Sequence, residues 1–308
     1  MNSRLITVGN IYLDHNIFGI DLAGKHNLQI GTDYFAEKGE IVLGGSAVNV
    51  AMQSLKFKMS VAFAGKVGSD ESGKEVCRLL DDKNINSSLI VKSDSSTSIS
   101  VNLVFKNSGE FVGAHYGTAS KSMTDSDINL NHPIFNNGGS IYFGGTAKQE
   151  NLFSKLPDLF SELKQKGFTI FFDPNRFPAG KEHLGRQSIA DTLPYVDYYL
   201  PNDTEIMQFA NTDSLDEAIK YALSKGAKNV IVKTGPKGCI VANSKVNLVI
   251  DGEKVSPITT VGAGDSFNGA FIYKVSQGTA PETAARFANK CASIKVSHNI
   301  WPSEEDIK

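Results

Sequence analysis

The chain has 308 residues, 41% hydrophobic and 21% charged, and its 31 basic and 33 acidic side chains leave a net charge of −2. That composition excludes a long disordered chain, and charges so evenly mixed supply no field to attract nucleic acid or an anionic membrane surface. Cys77, Cys239 and Cys291 lie far apart, so they suggest neither a disulfide framework nor a CxxC metal site and fit a reducing cytoplasm.

The N-terminus, MNSRLITVGN, runs straight into a strand-like segment, with no signal-peptide pattern and no apolar stretch near the ~20 residues of a bilayer span. Short β-rich runs follow: LITV, SVAFAG, ISVNLVF, SIYFGG, FTIFF, VDYYL, NVIVK, CIVA and VNLVI. Several are nearly continuous in apolar residues, as in strands buried on both faces. Helical periodicity appears over 47–57, 73–82, 151–166, 214–224, 266–276 and 281–296. Strand alternating with helix predicts an α/β fold, a mostly parallel sheet flanked by helices. Two regions depart from this rhythm. Residues 12–43 contain glycines and lack helical periodicity, while 96–117 reads as two strands, TSISVNLVF and EFVGAHY, joined by KNSG. Together they predict a small antiparallel sheet, inserted into a single domain of 1–308.

In such sheets ligands bind beyond the carboxyl ends of the strands. LITV leads to GNIYLD, FTIFF to DPNR, VDYYL to PNDTE and NVIVK to TGPKG, so polar residues and glycines gather at one rim. Near the C-terminus, TTVGAGDSFNGAFIYKV predicts a helix starting close to Gly264, with Phe267, Ala270, Phe271 and Val275 on one face. Gly262, Ala263 and Gly264 lack bulk, so a phosphoryl group can approach the unpaired N–H groups at the positive pole of that helix. Asp265 would repel the same phosphate unless it faces a second substrate's hydroxyl and takes its proton. An ordinary glycine turn with an Asp in the first helical turn explains the stretch as well.

In GGSAVNVAMQSL, Gly44 and Gly45 precede a helix whose Asn49 amide suits adjacent hydroxyls of a polyol or, equally, a core Asn satisfied by backbone. Asp14, shortly after the first strand, suits two sugar hydroxyls or a plain turn. Asn202 and Glu205 of PNDTE share a helix face, which fits water-shelled Mg2+ and also a capping box. VKTGPKGC reads as strand, turn, strand, with Gly235 and Gly238 leaving room for a flat ligand. The segment GSDESGKE matches GxxxxGK but has Glu75 where a P-loop needs Ser or Thr, and Asp70 and Glu71 would repel phosphate, so it is set aside. The six histidines show no metal-ligand spacing, and GxSxG and GxGxxG are absent.

Taken in order, GGSAVNVA, GKVGSDESG, FFDPNR, PNDTE, VKTGPKG and TTVGAGDSFNG resemble the ribokinase-like, or PfkB, carbohydrate kinase family across about 290 residues. The resemblance implies ATP-dependent phosphorylation of a sugar or nucleoside hydroxyl on a Rossmann-like α/β body with a β-sheet lid. It makes Asp265 the catalytic base and Gly262, Ala263 and Gly264 the anion hole. Asp14, Gly44, Gly45 and Asn49 would bind the sugar. Asn202 and Glu205 would arrange Mg2+ and phosphate, with Glu205 nearest the metal, while Asp173, Lys233, Gly235, Gly238 and Asn289 would lie near ATP. The family commonly has Asp where this chain has Thr259, and that Asp helps bind an activating monovalent cation, so K+ dependence is in doubt. A non-catalytic sugar or nucleotide sensor on the same scaffold is the alternative outside enzymes. The small sheets, with edges and an apolar face to cover, predict a homodimer.

Overall fold

The computed structural model describes residues 3–22, 28–106, 111–177 and 182–307. Along β1 (Arg4–Gly9) successive side chains enter two different cores, Leu5 on one face of the sheet and Ile6 and Val8 on the other. The same division recurs in β8 (Gly139–Gly144), β9 (Phe168–Asp173) and β11 (Asn229–Lys233), which explains their continuous apolar runs.

These strands belong to a nine-stranded sheet in the order β13-β12-β11-β10-β9-β8-β1-β4-β5. Here β4 is Ser60–Gly68, β5 is Asn86–Ser93 and β10 is only Tyr198–Tyr199. Pairing is parallel from β5 through to β11, whereas β12 (Gly238–Asn243) and β13 (Asn247–Asp251) return antiparallel. Helices α1 (Ser46–Lys56), α8 (Ala263–Ser276) and α9 (Pro281–His298) cover one face. The other carries α4 (Leu156–Gln165), α5 (Glu182–Thr192), α6 (Asp203–Ala210) and α7 (Leu215–Ser224).

The helix expected over 151–166 is two helices, α3 (Glu150–Phe153) and α4. Pro157 has no N–H to donate, so it is accommodated in the first turn of a new helix rather than inside a longer one. The rejected phosphate loop is indeed a cap: Asp70 accepts from the Gly73 N–H at 2.9 Å and starts α2 (Glu71–Asp82), while its other oxygen holds the Thr97 N–H at 2.9 Å.

The second sheet has four strands in the order β3-β2-β6-β7: β3 Lys38–Gly44, β2 Tyr12–Ile20, β6 Ile99–Phe105 and β7 Phe111–Tyr116. It is mixed, not wholly antiparallel. The two hairpin-like pairs are antiparallel, but they join through parallel β2 and β6, since each leaves the main sheet in the same direction. The KNSG turn lies mostly outside the described residues. Among the described residues no helix is long and apolar enough to cross a membrane.

Candidate active site

Gly262 opens α8 with φ of 77°, the left-handed region that glycine enters without a Cβ penalty. The Ala263 N–H turns back to the Thr260 carbonyl at 3.3 Å, and the first helical bond runs from Ser266 N–H to the Gly262 carbonyl at 2.8 Å. Among the described residues, the Gly264 and Asp265 N–H groups have no partner. Gly262 N–H has none either, so the cradle expected at 262–264 keeps free donors at 262 and 264 and adds the one at 265, because the turn that starts the helix consumes only the one at 263.

Asp265 does not cap its own helix. Its Oδ1 accepts from Ser46 Oγ at 2.7 Å and its Oδ2 from Asn49 Nδ2 at 2.8 Å, both donors coming from α1. Burial pushes this carboxyl above the ordinary range, and the Asn49 and Ser46 donors pull it partway back. Asn49, read from sequence as a group for sugar hydroxyls, spends one of its two amide N–H donors on Asp265, which leaves the other N–H and its oxygen for another partner.

Behind Asp265 lies a polar network that sequence reasoning missed. Ser46 Oγ is 3.1 Å from the Tyr142 hydroxyl, and Asn268 Nδ2 donates to that hydroxyl at 3.3 Å and to Asp173 Oδ2 at 2.7 Å. Lys233 closes it, its Nζ lying 2.6 Å from Asp173 Oδ2 and 3.2 Å from Asn268 Oδ1. Spacing alone signals that Asn268 stands three residues after Asp265 on the same helix face. Tyr142 was hidden inside the apolar run SIYFGG.

A cavity of about 710 Å³ opens on the other side of Asp265. Asp173, Asn202, Glu205, Lys233, Gly235, Gly238, Ala263, Gly264 and Asn289 all line it, so the residues expected near ATP converge. Gly238 is there for a steric reason: with φ of 100°, an added Cβ would fall 2.1 Å from the Ile250 carbonyl. Asn289 ties α9 to the end of β13, its amide donating to the Asp251 carbonyl at 3.3 Å. Asn202 and Glu205 form the capping box in full: the Asn202 side chain accepts from Glu205 N–H, and Glu205 Oε2 accepts from Asn202 N–H, each at 2.8 Å. Burial, then the nearby Asp173, push Glu205 up to about 7, with Lys233 opposing.

Asp14, Gly44, Gly45 and Asn49 are outside that cavity's lining. They meet where the two sheets join. The Asp14 carboxylate lies directly over Gly44, since a Cβ there would be 1.9 Å from Oδ2. Burial pushes Asp14 up to about 6, and Lys148 holds it from rising further. Neither the Asp14 carboxylate nor the Lys148 ammonium has a hydrogen-bond or ion-pair partner within the described residues. Lys148 sits 6.0 Å from the centre of the Tyr12 ring, which in turn packs 5.5 Å from His115.

Residues 21–299 match the family described as pfkB family carbohydrate kinase. The chain is 26% identical to fructokinase-2 of Zea mays, over 95% of this chain and 88% of that one. It is 25% identical to the ribokinase of Staphylococcus aureus strain COL, over 96% and 94%. Its fold superposes on a fructokinase double mutant from Vibrio cholerae O395, solved with fructose, ADP and a potassium ion, with a TM-score of 0.78, 22% identity and coverage of 99% and 97%. With the alternating α/β architecture, the open helix N-terminus and the buried acid already in place, the match over most of its length settles the classification: the chain belongs to the pfkB family of carbohydrate kinases.

Proposed function

We propose that this enzyme transfers the γ-phosphoryl group of ATP to a hydroxyl of a small sugar, with Asp265 as general base. The observation that carries this reading is the position of Asp265. It is fixed by Ser46 and Asn49, adjacent to the unpaired N–H groups of the helix start, and it opens onto the cavity. A carboxyl lifted by burial is a stronger base than a surface one, and its two donors keep it aligned with an acceptor alcohol. The Gly264 and Asp265 N–H groups then receive the spreading charge of the phosphoryl oxygens without having to reorganise. Lys233, held by Asp173 and Asn268, supports that end of the helix from below, its Nζ 3.8 Å from where a Cβ on Gly264 would stand.

The carboxylates at this rim fit Mg2+. Glu205 has one oxygen free of the capping box, and its carboxyl, raised first by burial and then by the nearby Asp173, would gain from a cation at this rim. A bound Mg2+ supplies neutralisation of the nucleotide's phosphate charge; Glu205 and Asn202 would hold it through water.

Asp14, without a protein partner, is the group we assign to the sugar's hydroxyls, with Gly44 and Gly45 giving the ring access to backbone. The fructokinase and ribokinase relatives support a ketohexose or pentose as acceptor. A second reading, an acceptor bearing an anionic group, is favoured by Lys148, a partly buried ammonium that makes no ion pair within the described residues and has only the Coulombic attraction of Asp14. The nucleoside alternative finds less support: Lys38 occupies the face of Phe18 at 5.6 Å, and Tyr116 is 67% exposed. ADP release across neutral sugars, sugar acids, sugar phosphates and nucleosides separates these readings, and tight binding with no product from any of them would favour the sensor.

We treat the chain as one domain in which the four-stranded sheet serves as a lid excluding water from the transfer. Ile41 and Val112 stay 52% and 47% exposed on that sheet, which supports its burial against a second copy. Three free cysteines support a reducing cytoplasm.

A further inference from the structure

Lys295, in the last turn of α9, is only 7% exposed, yet no carboxylate lies within ion-pair distance of its ammonium among the described residues. Its Nζ donates to Asn299 Oδ1 at 2.8 Å and stands 4.5 Å from the centre of the Trp301 ring. Its Cε comes 3.2 Å from where a Cβ on Gly262 would be, so the charged end packs against the turn that opens α8. One residue along, the Val296 carbonyl accepts from the N–H groups of Ile258 and Thr259 at 2.9 and 3.2 Å. Lys295 therefore lies between the 258–262 turn and the C-terminal end of α9.

This is a costly place for a cation. Burial lowers the affinity of the ammonium for its proton, and the positive pole of α8 adds to the penalty; the negative pole of α9, the Asn299 oxygen, the Trp301 face and the more distant Asp265 and Glu40 offset part of it. A charge kept where local physics opposes it points to a function.

The resemblance implied an activating monovalent cation near residue 259, and the residues present do not fit one. Thr259 brings no carboxylate, its Oγ1 accepts from the Val261 N–H at 3.2 Å, and the space beside Gly262 is filled by Lys295 and Trp301. We propose that Lys295 is the chain's built-in monovalent cation. Its ammonium takes an amide oxygen and an aromatic face as its shell, fixes the turn ahead of α8, and adds positive potential behind the phosphate-binding N–H groups. It acts through Gly262 and the helix, so it is a positioning residue and not a catalytic one. The enzyme should then need no potassium.

The test compares choline with potassium at matched ionic strength, reading both the affinity for MgADP by calorimetry and turnover. The affinity arm needs no acceptor, so it separates this proposal from the sugar-kinase assignment on which it rests. The wild type is expected to give the same values in both salts, within about twofold. Lys295→Met, with a native melting transition, should lose about tenfold or more in choline and recover on addition of potassium or ammonium; Lys295→Gln serves should the Met variant not fold. Stimulation of the wild type by potassium overturns the proposal. So does a Lys295 variant that matches the wild type in choline, and so does a loss that no small cation restores, which would mark Lys295 as packing alone.

Discussion

The two sides of Asp265 are built differently. The side proposed for the nucleotide is a formed cavity on the rim of the nine-stranded sheet, with strand ends, caps and glycine turns fixed by backbone bonds. The proposed acceptor side lies outside that cavity's lining; its Asp14 and Lys148 make no hydrogen bond or ion pair within the described residues where the four-stranded sheet meets the main one. A rigid sheet can pre-form a site for a ligand common to many enzymes. On the proposed function, the side that chooses the acceptor would rest on two arms, with Asp14 open to pair with the acceptor's hydroxyls.

The hardest blow to that division is at its midpoint. Asp265→Asn should lower turnover by about 10³-fold while MgADP affinity and melting temperature stay near wild type. Normal turnover would remove Asp265 from the role of base. Lys233→Met tests the nucleotide side. It strands the buried Asp173 without its cation and is expected to cost about 3–5 kcal/mol of stability, read by denaturant titration. Loss of MgADP binding with unchanged stability would instead make Lys233 a ligand group alone.

Asp14→Asn tests the other side: KM for the acceptor should rise by about 10- to 100-fold with MgADP affinity unchanged. The wild type carries a related signature in pH. Because burial raises Asp14 to about 6, its carboxylate takes up a proton as pH falls through that value, so acceptor KM should climb below pH 6. The titratable groups around it are Lys148, which burial holds below its ordinary range, the Tyr12 hydroxyl, which burial raises, and His115 beyond Tyr12, which burial lowers, so loss of this limb in Asp14→Asn is what assigns it to Asp14. The same shift makes Asp14 a destabilising charge: the folded state binds the extra proton, so this contribution to stability is lost as pH rises through about 6. The smallest effect is expected from Ser46→Ala. With one donor gone, the acid limb of the turnover profile should move to higher pH, because Asp265 would ionise less readily.

Sequence made the nucleotide side readable for local reasons. A glycine-rich turn before an amphipathic helix, a capping pair at 202 and 205, and glycines at 235 and 238 express geometry over a few residues, and the structure brings them to one cavity. Ser46, Tyr142 and Asn268 were not readable as a network, since they come from α1, β8 and α8 and meet only through tertiary packing. Lys295 looked like one polar position on an ordinary helix. The antiparallel expectation for the small sheet failed similarly: which strands of two separated hairpins lie side by side is a nonlocal choice.

The bond from Ser46 to Asp265 spans 219 residues of chain and that from Asn49 spans 216. Contacts so far apart along the polymer are closed late, after most of the loop entropy has been spent. A refolding or newly synthesised molecule thus completes most of its secondary structure before its proton acceptor is oriented, and regain of activity should trail regain of circular dichroism.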